Sequence, residues 1–223
     1  MLTLGIDDAG RGPVIGPMIL TGCLLDKSVE KELQTLGVKD SKQLTQKRRE
    51  FLSKIIKEKA EAFETNLTSP SEIKESNENK IKLNELEAIK CPKIINKINK
   101  TLNGKKIKVI LDCPSPNTRK WKEYLQTKIH DLSNLDISCE HKADKNHVSV
   151  AAASVLAKTK REEEMSKLKE KYGEEIGSGY TSDPLTCKFV EKYADKYQKD
   201  GIFRETWETW KRASKNKKQG KLF

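Results

Sequence analysis

Near the start of the chain two carboxylates, Asp7 and Asp8, are followed at once by Ala9-Gly10-Arg11-Gly12-Pro13. Acids suited to a divalent cation stand beside backbone amides and an arginine suited to a phosphate, which is the equipment of phosphoryl transfer. The apolar residues 2–6 read as a strand leading into them. Side chains alternate faces along a strand, so the two acids share one locus only if the strand ends there and the backbone turns, which Gly10 and Gly12 would permit. A surface Asp-Asp turn is the plain alternative. The loop is not a dinucleotide-binding turn, because Pro13 opens no helix: residues 14–25 are apolar and β-branched, and predict a second strand paired antiparallel with the first.

Such acids need a frame. At 223 residues the chain can bury one full core with a small appendage. Neither a signal peptide nor an apolar run of bilayer length is present, so a soluble, cytoplasmic protein without a membrane partner is expected. Five cysteines, at 23, 91, 113, 139 and 187, lack paired C-x-x-C spacing and read as packed thiols rather than a disulfide framework or a zinc site. His130, His141 and His147 share no ligand spacing. The net charge of +11 favours a polyanionic partner. Residues 211–223 sharpen that bias, with six basic residues and no acid.

Further along, a helix is predicted over residues 46–59 with Thr45 as its cap, and a strand over 62–67. Pro70 and Ser71 read as a break into a polar stretch, and residues 80–100 as an amphipathic helix interrupted at Pro92. A buried strand over 107–111 ends on Asp112 and passes into a Pro-rich loop, repeating the opening arrangement. Active sites of layered α/β sheets collect at the strands' carboxyl ends, so Asp7 and Asp112 are expected to converge. A helix over 118–132, a strand over 136–140 and then Asp144 come next. The small-residue helix over 148–158 must lie very close to something, and packing on the sheet would hold Asp144 over its end.

The segments 5–17, Asp40-Ser41-Lys42-Gln43-Leu44, Leu111-Asp112, Lys142-Ala143-Asp144 with residues 151–158, and Gly177-Ser178-Gly179-Tyr180-Thr181-Ser182-Asp183 together resemble the type 2 ribonucleases H, ribonuclease HII, of the archaeal form. The resemblance spans nearly the whole chain in the family's order. It implies an α/β, RNase H-like fold, a five-stranded mixed sheet flanked by helices with a helical C-terminal extension. The expected divisions are a catalytic domain over 1–165, the extension over 166–213 and a basic tail over 214–223. It implies that Asp7, Asp8, Asp112 and Asp144 hold two Mg²⁺ or Mn²⁺ ions. It further implies that Gly10, Arg11, Gly12 and Tyr180 recognise a ribonucleotide–deoxyribonucleotide junction, and that Lys42 and Lys158 hold phosphates, a solvated lysine being the alternative for Lys158. The substrates implied are RNA·DNA hybrids and duplex DNA with embedded ribonucleotides. One departure stands out: the family's second acid is usually glutamate, and here it is Asp8. Another nuclease on the same fold, cutting all-DNA junctions, is the alternative enzyme, and a non-catalytic hybrid-binding protein is the alternative of another class. The end of the tail, with Gln219, Leu222 and Phe223, resembles a truncated sliding-clamp-binding peptide, the alternative being a solubilising or phosphate-contacting tail.

Overall fold

A computed structural model describes residues 1–38 and 44–220, the side chains of 215–220 excepted. The elements run β1 (Leu2–Ala9), β2 (Met18–Leu25), α1 (Lys27–Thr35), α2 (Gln46–Lys59), β3 (Ala62–Thr68), α3 (Pro70–Glu78), α4 (Leu83–Asn99), β4 (Ile107–Asp112), α5 (Thr118–Gln126), β5 (Leu135–Glu140), α6 (Ala143–Asn146), α7 (Val148–Tyr172), α8 (Pro184–Tyr193) and α9 (Glu208–Gly220). The five strands form one sheet in the order β3-β2-β1-β4-β5. β1 is antiparallel to β2 and parallel to β4, which is parallel to β5, so the sheet is mixed as expected.

Compactness divides the chain into two units: residues 1–9, 19–66 and 84–160, and residues 10–18, 67–83 and 161–223. In the first, strand alternation sorts side chains onto two faces. Gly5, Cys23, Leu25 and Ile110 lie on the face covered by α7, whose Ala151, Ala152, Ala153 and Val155 complete an apolar cluster with α1 and α2. The small residues of α7 are required. A Cβ on Gly5 would lie 2.1 Å from the Ser149 carbonyl carbon and 2.2 Å from the Val150 nitrogen, so helix and strand backbones touch directly. The other face is covered by α4, where a Cβ on Gly22 would come within 2.5 Å of Ile94.

The second unit has its own core of Val14, Ile15, Met165, Tyr172, Phe189, Phe203 and Trp210, all buried. Within it α3 is tied to the chain before α9 by Lys74 to Glu205 at 2.9 Å and by Asn77 to Thr206 at 3.2 Å.

Several local expectations change. β2 begins at Met18, not at residue 14: the Val14 and Ile15 amides donate instead to the Gly179 carbonyl at 2.8 and 3.2 Å, and Ile15 bridges Phe203. The polar stretch after Pro70 is a helix, because Ser69 and Glu72 form a capping box and proline sits at the first turn, where its missing N–H costs nothing. α1 has no counterpart among the sequence expectations, although Asp26 caps it by accepting the Ser28 and Val29 amides. α5 stops at Gln126, and α7 runs past residue 158 to Tyr172, ending before Gly173 at φ 88°. α4 starts at Leu83 and passes through Pro92 without dividing. Gly10 adopts φ 84°, as a turn beside the acids requires, whereas Gly12 does not have positive φ.

Candidate active site

The acids of the first unit are placed by register. Ile6 pairs with Leu111, so the next residues, Asp7 and Asp112, stand side by side on the α7 face at the carboxyl ends of two parallel strands. From Gly5 to Asp7 the strand advances about 7 Å, and from Ser149 to Ser154 the helix above rises about 7.5 Å. The match brings the Ser154 hydroxyl onto the Asp7 carboxyl as a hydrogen-bond partner. Asp112 accepts the Ala143 amide at 2.8 Å, which fixes α6 and therefore the buried Asp144 beside it. Lys142 enters α6 in the left-handed conformation at φ 57°, so the chain turns sharply to make that bond.

Asp8 behaves differently from expectation. β1 does not end at the acids but continues through Ala9, and alternation sends Asp8 toward the α4 face, where it faces Leu20 across the sheet and its charge is felt by Cys91. It still acts on its neighbour. Burial pushes the Asp7 carboxyl up to about 8, and the charges of Asp8 and Asp112 add to the rise against the opposing hydrogen bonds of Ser154 and the Asp8 amide. Glu140, paired with Asp112 on the same face, is bonded by His147 at 2.8 Å, which holds its carboxyl below the ordinary range. Among the described residues, no three Asp, Glu, His or Cys side chains converge tightly enough to hold an ion as they stand.

The glycine-flanked arginine belongs to the second unit, where it is held by residues that the sequence motifs do not include. Arg204, fully buried, donates to the carbonyls of Gly10, Arg11 (2.7 Å) and Gly16 (3.0 and 3.1 Å). The Trp207 indole donates to the Gly12 carbonyl at 3.1 Å and packs its ring 5.1 Å from the Arg204 guanidinium. A second arginine, Arg161, lies under Gly10 so closely that a Cβ there would meet its Cδ at 2.7 Å. Its guanidinium donates to the Ser178 carbonyl at 2.9 Å and lies 4.5 Å from the centre of the exposed Tyr180 ring. Burial pushes the pKa of this guanidinium down. Around Tyr180, Asp183 accepts the Ser178 and Leu185 amides at 2.7 and 2.9 Å, and the Gly179 amide donates to Thr186 at 2.9 Å. Gly10-Arg11-Gly12 and Ser178-Gly179-Tyr180 are thus two loops joined through Arg161.

The structure therefore sets Asp7 beside Asp112, places the buried Asp144 next to the residue whose amide Asp112 accepts, couples Asp8 to Asp7 through charge, and gathers Gly10, Arg11, Gly12 and Tyr180 into one assembly. Lys158 is half-buried on α7 in the first unit. Lys42 lies outside the described residues, as do Leu222 and Phe223 and the side chain of Gln219. Arg204 and Trp207 carry one signal that sequence reading could have used: an arginine between aromatics in Phe203-Arg204-Glu205-Thr206-Trp207, ahead of a lysine-rich tail.

A mixed five-stranded sheet with carboxylates at its parallel strand ends defines a ribonuclease H-like fold. The crystal structure of the ribonuclease H2 from Pyrococcus horikoshii superposes with a TM-score of 0.82 at 34% identity, covering 97% of this chain and 98% of that one. The ribonuclease in the structure of the PCNA:RNase HII complex from Archaeoglobus fulgidus gives 0.80 at 33% identity, over 93% and 96%. The model of the Ribonuclease HII family matches residues 4–210. A ribonuclease HII of Methanocaldococcus jannaschii is 40% identical over 230 residues, 100% of this chain and 99% of its own. The chain belongs to the ribonuclease HII family. Its activity is accordingly that of a type 2 ribonuclease H, the hydrolysis of RNA in RNA·DNA hybrids.

Proposed function

We propose that the chain also nicks duplex DNA on the 5′ side of an embedded ribonucleotide, leaving 3′-hydroxyl and 5′-phosphate ends, and that it serves ribonucleotide removal and primer processing in the cytoplasm. The observation that carries this reading is the build of the Gly10-Arg11-Gly12 loop, which only Ala9 separates from the paired acids. Its three carbonyls are bound by Arg204 and Trp207, which fixes the loop so that its backbone amides and Arg11 would meet a ribose 2′-hydroxyl. Tyr180, exposed and braced by Arg161, would lie against the following sugar and penalise a hydroxyl there.

The acids fit Mg²⁺ or Mn²⁺ by their chemistry, an all-carboxylate set in which Asp7 is forced toward the neutral form by burial and by like charge. Asp7, Asp112 and Asp144 would hold the ions with Asp8 at the margin. When bound, a pair of such ions activates the attacking water and stabilises the leaving 3′-oxygen. The chain's own residues supply the rest: Ser154 orients the Asp7 carboxyl, the Ala143 amide fixes Asp112, and Lys158 and Lys42 hold backbone phosphates as point charges. The test is a defined duplex with one ribonucleotide, incubated with Mg²⁺ and separately with Mn²⁺, with the cut mapped to the nucleotide. A single nick 5′ of the ribonucleotide is expected. Cleavage of a continuous hybrid without any nick in this duplex would overturn the junction reading, and cutting of an all-DNA junction would favour the alternative nuclease.

The tail is proposed to dock on a sliding clamp through Gln219, Leu222 and Phe223. The support is the sequence itself, apolar anchors after a basic run, and the existence of a clamp complex for the Archaeoglobus fulgidus relative. Removal of residues 219–223 should abolish clamp binding in calorimetry and leave nicking of short duplexes unchanged.

A further inference from the structure

At the end of the sheet away from the acids, the second half of α4 and the segment between α5 and β5 enclose a groove of about 750 Å³ within the first unit. It is distinct from the acid cluster. Ile107, where β4 begins beside it, is five residues from Asp112, or about 17 Å along the strand. Lys93 and Lys97 on α4 and Lys100 just past its end are exposed along one line, and Lys128 and His130 are exposed on the facing segment. The stripe from Lys93 to Lys100 is about 10 Å long, enough to meet more than one phosphate of a chain laid along it.

The walls are fixed. Asn96 accepts the His130 amide at 3.0 Å and donates to the Lys128 carbonyl at 3.2 Å. Asn99 and Asn134 exchange hydrogen bonds at 3.2 and 2.7 Å, and Asn134 also donates to the Lys105 carbonyl at 2.9 Å. These asparagine bonds between the two walls hold their spacing without using the lysine side chains. Two carboxylates bear on the charge. Lys97 pairs with Glu64 at 2.7 Å, and Asp131 accepts the Ser133 amide at 2.9 Å, which binds it into its own turn. Lys93, Lys100 and Lys128 leave the groove positive against both.

We propose that this groove is a second nucleic-acid site that seats the backbone of a single strand, with His130 as a platform for a base. The groove is of ligand size, which suits the backbone of one strand. A positive track with a ring beside it is the usual composition of single-strand sites. The occupant is a single strand flanking the cut.

The experiment uses the full chain and a fluorescent dodecamer of thymidylate, which a ribonuclease does not consume, read by anisotropy over a salt series. Lys93→Glu/Lys100→Glu/Lys128→Glu is expected to weaken binding at least tenfold and to flatten the dependence of log affinity on log salt by about 2, near 0.7 for each phosphate no longer neutralised. The neutral triple Lys93→Gln/Lys100→Gln/Lys128→Gln should show the same effect at smaller size, and His130→Ala a loss of roughly tenfold or less. Lys31→Glu/Lys54→Glu/Lys57→Glu, an equal change in charge at exposed positions elsewhere in the first unit, should stay within twofold. Nicking of a short blunt duplex should be unchanged by the groove variants. Equal losses in the two charge-reversed triples would overturn the proposal in favour of a diffuse positive field. Unchanged dodecamer binding in the groove triples would overturn it outright. Because the readout is binding to DNA, failure here leaves the nicking reading standing, and failure of nicking leaves this one standing.

Discussion

Asp7 is buried among like charges, whereas the Gly10 carbonyl, three residues further along, accepts from the buried guanidinium of Arg204. The acid cluster of the first unit is positioned by strand register at the cost of electrostatic repulsion; the loop of the second is positioned by side chains from remote parts of the sequence and is internally satisfied. On the proposed reading, a site of the first kind waits for its cation and a site of the second kind is finished before its ligand arrives. On that reading chemistry and recognition are separable by mutation, and the separation can be attacked directly.

The largest effect is expected at the acids. Asp7→Asn and Asp112→Asn should each lower cleavage on the order of 10³-fold or more on every substrate, because each removes charge at the reacting phosphate, while binding of a junction duplex persists. Either variant cutting within a few-fold of the parent, in a gel-based nicking assay, would refute the metal-site assignment. Next comes Arg204→Met. It leaves the carbonyls of Gly10, Arg11 and Gly16 without their buried donor and should cost about 3–5 kcal/mol of stability by denaturant titration, with nicking at a single ribonucleotide falling more than hydrolysis of a continuous hybrid. A parallel loss on both substrates would show that the loop does not read the junction. Tyr180→Ala is gentler and more discriminating: roughly tenfold on the single-ribonucleotide duplex and less than threefold on the hybrid, consistent with removal of one ring from the substrate's sugar. Asp8→Glu should be smallest, within a few-fold of the parent, since Asp8 stands at the margin of the cluster.

The same contrast has a pH signature in metal-free protein. The folded pKa of Asp7, about 8, lies above its unfolded value of 3.8, so the fold holds its proton longer than the unfolded chain does. That contribution to stability is complete below about 3.8 and is lost as pH rises through about 8. In EDTA the melting temperature of Asp7→Asn should therefore exceed that of the parent increasingly from pH 4 to 8, and calorimetric scans in which the two curves stay parallel would contradict the charge account. No such divergence is expected for Arg161→Met, because an arginine keeps its proton throughout this range.

How much of this is visible in the sequence depends on the reach of the interaction. Asp7 and Asp112 each follow an apolar run, and alternation plus the behaviour of parallel strands puts them at one edge from local information alone, whereas Asp144 is located only through the small-residue helix that follows it. Asp8 departs from its expected place because the alternation does not stop at the acids, and β1 instead runs on through Ala9. The helix after Ser69 escapes a reading that takes Pro70 as a breaker, when its position inside a capping box makes it an initiator. Residues 14–16 pair as the β-branched Val14 and Ile15 suggest, yet with residues 179 and 202–204, a choice made by contacts more than 150 positions away. Arg204 is hidden for the same reason: nothing within ten residues of it reveals that its partners are carbonyls near the start of the chain.

Gly5 carries a consequence for tolerance. With 2.1 Å between an added methyl and the Ser149 backbone, against about 3.5 Å for ordinary carbon contact, there is no compliant layer of side chains between β1 and α7 in which an error could be absorbed. One methyl group would have to lift the helix by more than an ångström, and the Ser154 hydroxyl would travel with it. The aim of the Asp7 carboxyl is thus inherited from the covalent dimensions of two backbones in contact rather than chosen among rotamers. Under the proposed metal-site reading, a substitution at Gly5, which carries no functional group of its own, would misalign the reaction together with the acid.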